Sequence, residues 1–221
     1  MPGSVLAISP LLYLLVPVAF LMGSIPFGLI FTRSRGIDLR STGSKNIGAT
    51  NVLRSAGKLP AFLTLVGDMI KGAIPVLICK YIIDYIDVPV QTERVIAEDL
   101  WAGIVGLSAV LGHMFSVFLS FKGGKGVATG FGVLLVYSPM AAALGLIIWI
   151  AVAVISKISS LAAITAVGLM PVAFILTRAS AIKVAIGIVL AALIIYKHKP
   201  NIKNLIAGTE TRIGSKSRGN S

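Results

Sequence analysis

Polar and glycine residues in this chain collect in four places. The first is Gly43-Ser44-Lys45-Asn46-Ile47-Gly48-Ala49-Thr50-Asn51, followed by Arg54. The second is Gly67-Asp68-Met69-Ile70-Lys71-Gly72. The third is Gly112-His113-Met114-Phe115, then Phe121-Lys122-Gly123-Gly124-Lys125-Gly126. The fourth is His198, Asn201, Lys203 and Gly208-Thr209-Glu210. In Lys122 to Gly126, glycines let backbone N–H groups turn inward as a nest, and the lysines add positive charge. That combination suits a phosphate. A helix beginning near Gly126 would add its positive end. The stretch is not a GxxxxGK[ST] loop, because Lys125 is followed by Gly126, so nucleotide hydrolysis has no support. Taken alone, it reads equally well as a flexible basic loop at a membrane surface.

Ser44, Asn46, Asn51 and Arg54 bring a hydroxyl, two amides and a guanidinium together within eleven residues. Donors of this kind hold phosphate oxygens and hydroxyls. The plain alternative is a turn with Asn51 capping a helix. Asp68 and Lys71 are spaced i,i+3 on one helical face. They read either as a structural ion pair or as a lysine facing an anion with Asp68 positioning it. His113 and His198 are the only histidines, and neither has a metal-ligand partner at i+3 or i+4. Each could serve as a general base near neutral pH or as a helix-terminal histidine bonding a carbonyl. The single cysteine, Cys79, lies in an apolar run, so there is no internal disulfide and no CxxC. The sequence therefore predicts no metal site and no nucleotide cofactor.

The elements that carry these residues must lie in lipid. Hydrophobic residues are 56% of the 221 and charged residues 13%, where a soluble domain runs at about 25% charged. Mean hydropathy is +0.94. Met1 to Thr32 carry no charge. Seven apolar stretches can be marked, at roughly 9–32, 61–83, 100–120, 127–138, 139–156, 160–177 and 182–197. They are continuous rather than alternating, which predicts helices rather than a barrel. The first has no basic lead-in and no small-residue cleavage site, so it reads as a retained helix. The expected fold is an all-α polytopic membrane protein in one domain over 1–221, with a polar tail from about 209 that frays.

Charge sets the orientation. Arg33, Arg35, Arg40, Lys45, Arg54 and Lys58 face one acid, Asp38, in loop 32–60. Loop 84–99 carries Asp84, Asp87, Glu93, Glu98 and Asp99 against Arg94 alone. Lys197, Lys199, Lys203, Arg212, Lys216 and Arg218 outnumber Glu210 in the tail. The basic segments are expected on the cytoplasmic side. That puts the N-terminus outside and the C-terminus inside, which needs an odd number of spans. Splitting 127–156 at Ser138-Pro139 gives seven, one of them short. Clusters one, three and four then share the cytoplasmic face.

The net charge of +12 fits positive-inside loops and also the attraction of an anion. Aromatics are 7% and sit mostly in apolar runs, which argues against nucleic acid. The last apolar stretches carry no Asp, Glu, Lys, Arg or His in 158–177 or 184–196, where a transporter keeps such groups near the midplane. Polar equipment gathered at one face suits an enzyme taking one substrate from the cytosol and another from the lipid. A transporter of phosphate or a phosphorylated small molecule is the alternative.

Taken together, the clusters resemble the bacterial acyl-phosphate:glycerol-3-phosphate acyltransferase family. The resemblance rests on Gly23-Ser24-Ile25-Pro26-Phe27-Gly28, Gly43-Ser44 with Asn46 to Asn51 and Arg54, Gly67-Asp68 with Lys71-Gly72, Gly112-His113 with Phe121 to Thr129, and His198, Asn201-Ile202, Gly208 and Glu210. These blocks run in the family's order over nearly the whole chain. The chain departs from the family at Lys45, usually glycine, at Ser116, often proline, and at Lys199-Pro200. The resemblance implies transfer of a fatty acyl group from acyl phosphate to the 1-hydroxyl of sn-glycerol 3-phosphate in a bacterial cytoplasmic membrane. The products would be lysophosphatidic acid and inorganic phosphate. It implies membrane lipid as surroundings and no obligatory protein partner. Phosphate contacts would fall to Asn46, Thr50, Asn51, Arg54, Asp68, Lys71, Lys122, Gly123, Gly124, Lys125 and Gly126. Ser44, His198, Asn201 and His113 would be the catalytic set. The base could be His198, His113 or a substrate phosphate oxygen.

Overall fold

The computed structural model describes residues 9–33, 35–86, 88 and 90–214. Asp87, Lys216, Arg218 and the end of the expected tail, 215–221, lie outside the described residues. The described chain is helical and without strands: α1 (Pro10–Ser24), α2 (Phe27–Arg33), α3 (Ala49–Ala56), α4 (Lys58–Ile86), α5 (Gln91–Met114), a 3-10 turn at Val117–Leu119, α6 (Val127–Tyr137), α7 (Pro139–Ser156), α8 (Ser159–Gly168), α9 (Met170–Leu176), α10 (Ala181–Lys197) and α11 (Lys199–Ile206). Four segments are long and apolar enough to cross a membrane: Pro10–Arg33, Lys58–Ile86, Gln91–Leu119 and Pro139–Ser156. The pairs α8–α9, bent by 44°, and α10–α11, bent by 62°, each qualify as one broken span. The eleven residues of α6 make only ~16 Å of helix. The apolar segments thus follow the sequence in order, and the protein is an integral membrane protein of several spans.

Local sequence sets the breaks. Pro139 opens α7 at a position where a missing N–H costs nothing, so the chain splits at Ser138 as the sequence predicts. Pro26 deprives the α1–α2 junction of a backbone donor. Two side chains supply replacements there: Ser116 Oγ donates to the Ser24 carbonyl, and Lys71 Nζ donates to the Ile25 carbonyl at 2.7 Å. Ser9 and Ser180 cap α1 and α10, each accepting from a first-turn N–H at 3.2 Å.

Glycines let α5 and α4 take central places. A Cβ on Gly23 would overlap the Ala109 carbonyl, and one on Gly112 would overlap the Phe20 carbonyl, so α1 and α5 touch backbone to backbone. Gly72 against Thr129 and Gly132 against Met69 repeat the device between α4 and α6. Packing through small residues is how helices associate where lipid already satisfies apolar surface.

The segment read as an acidic loop, 84–99, differs from expectation: α5 starts at Gln91. Two of its acids, Glu98 and Asp99, are held by bases on other helices, which periodicity cannot reveal. Glu98 pairs with Lys80 at 2.7 Å, Asp84 with Arg94, and buried Asp99 with Lys183 at 3.1 Å. The tail also differs. His198 caps a helix end and α11 follows it, with Pro200 in the first turn.

Candidate active site

The first, third and fourth clusters converge on one cavity of about 290 Å³. Ser44, Asn46, Thr50, Asn51 and Arg54 line it from the loop before α3 and from α3 itself. Lys125 and Gly126 come from the loop before α6, and His198, Asn201 and Glu210 from the end of the chain. Asp68 and His113 reach it from α4 and α5. Below this polar rim the wall is apolar, built from α6, α7, α8, α9 and α10.

The loop before α3 is organised by Asn51, which is 1% exposed. Its Nδ2 donates to the carbonyls of Leu39, Thr42 and Asn46 at 3.2, 3.0 and 2.8 Å, and its Oδ1 accepts from Ser44 N–H at 2.9 Å. The amide is fully committed to the protein. The expectation that Asn51 binds phosphate is therefore corrected: it shapes the loop that presents Ser44 and Asn46. Lys45 in that loop has φ +56°, a conformation in which a glycine, the residue expected there from the family resemblance, is unstrained. Thr50 Oγ1 lies 3.2 Å from Ser159 Oγ and joins α3 to α8.

The glycine-rich loop works differently from the predicted nest. Gly123 N–H donates to the Met114 carbonyl at 3.2 Å and Gly124 N–H to the His113 carbonyl at 3.0 Å. These donors face the end of α5, not the cavity. Their glycines allow contact, since a Cβ on Gly123 would strike the His113 carbonyl and one on Gly124 the His113 imidazole. Lys122 is exposed and outside the cavity wall. Lys125 is the lysine that faces in, and its Nζ donates to Asn201 Oδ1. Gly126, with φ +83°, turns the chain into α6. Gly126, Val127 and Ala128 all line the cavity, where first-turn N–H groups have no intrahelical partner.

Asp68 and Lys71 form a buried pair at 2.8 Å, each 3% exposed. Lys71 is outside the cavity wall and is otherwise engaged with the Ile25 carbonyl and the face of the Phe27 ring, so its predicted role at an anion is corrected to a structural one. His113 Nδ1 stands 3.6 Å from Asp68 Oδ1, too long for a hydrogen bond. Its ring is wedged against the glycine-rich loop.

His198 is 2% exposed. Its Nδ1 lies 2.8 Å from the Ile194 carbonyl. A carbonyl only accepts, so Nδ1 carries the proton, and Nε2 of the neutral ring keeps its lone pair. Asn201 is fixed from both sides, since its Nδ2 donates to Glu210 Oε1 at 2.8 Å while its Oδ1 accepts from Lys125. Ser160 Oγ also donates to Glu210 Oε1, at 2.9 Å. Glu210 thus links α11, α8 and Lys125, a role that sequence reading left without content, because Ser160 lies fifty residues away. Arg54 donates to the carbonyls of Thr211 and Arg212 at 3.3 Å each, and Ile213 N–H to the Lys157 carbonyl at 2.6 Å. Residues 209–213, expected to fray, are tied across the site. Arg54 Nε and Glu210 Oε2 are buried without partners, so polar capacity is left for a ligand.

Burial pushes the Lys125 ammonium down to about 8, helped by Arg54 and Lys197 and opposed by Glu210. An anion bound beside it would restore the charged form.

Comparison with known proteins gives one family. The glycerol-3-phosphate acyltransferase family matches residues 13–208. A glycerol-3-phosphate acyltransferase of Geobacter metallireducens is 47% identical over 201 residues, covering 90% of this chain and 96% of its own. One of Methylococcus capsulatus is 43% identical over 208 residues, covering 94% and 98%. The crystal structure of PlsY (YgiH), an integral membrane glycerol 3-phosphate acyltransferase, is similar in its glycerol 3-phosphate form with a TM-score of 0.80. It is 38% identical and covers 92% of this chain and 96% of that one. Its lysophosphatidic acid form gives 0.78. The order of the clusters, their convergence on one cavity and these likenesses agree: the chain belongs to the glycerol-3-phosphate acyltransferase family.

Proposed function

We propose that the protein transfers a fatty acyl group from acyl phosphate to the 1-hydroxyl of sn-glycerol 3-phosphate, at the cytoplasmic face of a bacterial inner membrane. The observation that carries this reading is a rim of cationic and hydrogen-bonding groups set over an apolar cavity. The rim groups suit phosphate oxygens and the apolar wall suits an acyl chain. The hydroxyl oxygen attacks the acyl carbonyl carbon, the carbonyl–oxygen bond to phosphate breaks, and phosphate leaves with the electron pair. The hydroxyl proton ends on phosphate or solvent. Because phosphate is a good leaving group, positioning and charge neutralisation suffice. Lys125 and Arg54 hold phosphate oxygens. Ser44, Asn46, His198 and Asn201 orient glycerol 3-phosphate. The whole chain acts as one membrane-embedded unit of seven spans, N-terminus outside, with no obligatory partner.

The deciding experiment uses purified protein in detergent, with no sealed compartment. Inorganic phosphate is expected from acyl phosphate only when glycerol 3-phosphate is added, with one lysophosphatidic acid per phosphate. Uptake of glycerol 3-phosphate into vesicles without any acylated product would replace this reading with a transporter.

Lys125 gives the reaction a pH dependence. Its charged form binds phosphate and predominates below pH about 8. The Michaelis constant for the phosphate it holds is therefore expected to rise as pH passes upward through 8. Lys125→Arg, charged throughout, is expected to flatten that rise, and Lys122→Ala to leave it in place. An unchanged pH profile in Lys125→Arg would remove Lys125 from the phosphate site.

A further inference from the structure

Beneath the polar rim the cavity continues as an apolar channel whose depth follows from helix geometry. Its wall runs from Ser159 to Met170 along α8 and α9, from Val127 to Leu134 on α6, and from His198 back to Leu190 on α10. At ~1.5 Å per residue these are roughly 10 to 17 Å of wall. Counted along α6, α7, α9 and α10, Leu134, Ala142, Met170 and Leu190 are the last lining residues away from the rim.

Behind Met170 the packing is closed. Phe174 is fully buried, lies against Gly187 and meets Tyr137 edge-on at 6.4 Å between centroids. The Tyr137 hydroxyl donates to the Asp99 carbonyl at 2.7 Å. These aromatic rings form a fixed back wall. Met170, 4% exposed, is unbranched and the most adaptable side chain at this end. A Cβ on Gly145 of α7 would stand 3.2 Å from Met170 Cε, so the methionine tip rests in space that this glycine leaves open.

We propose that Met170 gauges acyl-chain length: the methyl end of the acyl chain stops against its side chain, and Gly145 sets how far that side chain can withdraw. The inference rests on the acyl-transfer reading and adds the residue that selects among its lipid substrates. Shortening Met170 opens the channel toward Phe174. Adding a methyl at Gly145 pushes the thioether inward. Each further methylene buried is worth about fourfold (~0.8 kcal/mol).

The test supplies the full-length protein in detergent with an equimolar mixture of acyl phosphates differing by two carbons, and weighs the lysophosphatidic acids formed. Met170→Ala is expected to move the preferred chain at least one two-carbon step longer, changing the ratio of neighbouring products by about 16-fold, fourfold for each of two methylenes. Gly145→Ala is expected to move it shorter. General loosening of the fold cannot produce shifts of opposite sign. If Met170→Ala does not fold, Gly145→Ala decides alone. An unchanged length profile with transfer intact overturns the gauge. Absence of lysophosphatidic acid from the wild-type protein with every chain overturns the acyl-transfer reading instead.

Discussion

Asp68→Ala is expected to destabilise the protein by about 3–5 kcal/mol, the usual result of removing one partner from a buried ion pair. The variant would leave the Lys71 ammonium, 3% exposed, with the Ile25 carbonyl and the Phe27 ring as its neighbours and no counter-charge in contact. That carbonyl belongs to the α1–α2 break, so the damage would reach the packing of α1 on α5. Replacing both partners with apolar groups of similar size, Asp68→Leu with Lys71→Met, is expected to recover part of the loss, since no unpaired charge stays buried while the Ile25 carbonyl still loses its lysine donor. Thermal unfolding in detergent measures the stabilities, and lysophosphatidic acid formation measures the function. Because Asp68 lines the cavity, the double variant separates two roles. A structural pair predicts a stable protein with turnover within about tenfold of wild type. A stable but inactive double variant would give Asp68 back to the substrate.

His198→Ala is expected to raise the Michaelis constant for glycerol 3-phosphate by about 2- to 12-fold, the equivalent of a neutral hydrogen bond worth roughly 0.5–1.5 kcal/mol. Turnover at saturation should stay within about tenfold. The basis is the partner of Nδ1, which is the Ile194 carbonyl at 2.8 Å. A histidine built to take a full proton is commonly backed by a carboxylate that steadies the imidazolium. This ring is backed by a neutral group and offers Nε2 as an acceptor, which suits orienting a hydroxyl. A normal Michaelis constant with turnover lowered roughly 10²–10⁴-fold, the range for loss of a general base, would make His198 the base instead.

Much of this was legible along the chain. Continuous apolar runs and Ser138-Pro139 reveal the helices and the split between α6 and α7, because lipid demands the first and proline directs the second. The polar clusters announce themselves by contrast with their apolar surroundings. Pairings across the fold were not legible. Asn51 and Lys71 look like ligands for an anion until their donors are traced to Leu39, Thr42, Asn46 and Ile25. Lys122 and Lys125 are equivalent in a loop without periodicity, and only the docking of Gly123 and Gly124 on the end of α5 turns one outward and the other in. Glu98 and Asp99 read as loop because their counter-charges, Lys80 and Lys183, lie on other helices.

The ties made by residues 209–213 bear on where this polypeptide can be shortened or extended. A chain cut after Gly208 would keep every described helix, α11 included, and would pass any inspection based on secondary structure. It would nevertheless lose the Glu210 carboxylate that steadies Asn201, together with the two carbonyls that hold Arg54. A purification tag fused close behind Ile213 would pull on the same ties through the Lys157 carbonyl. Fusions belong after a spacer, and an inactive truncated form would report an unfastened active site in a correctly folded bundle.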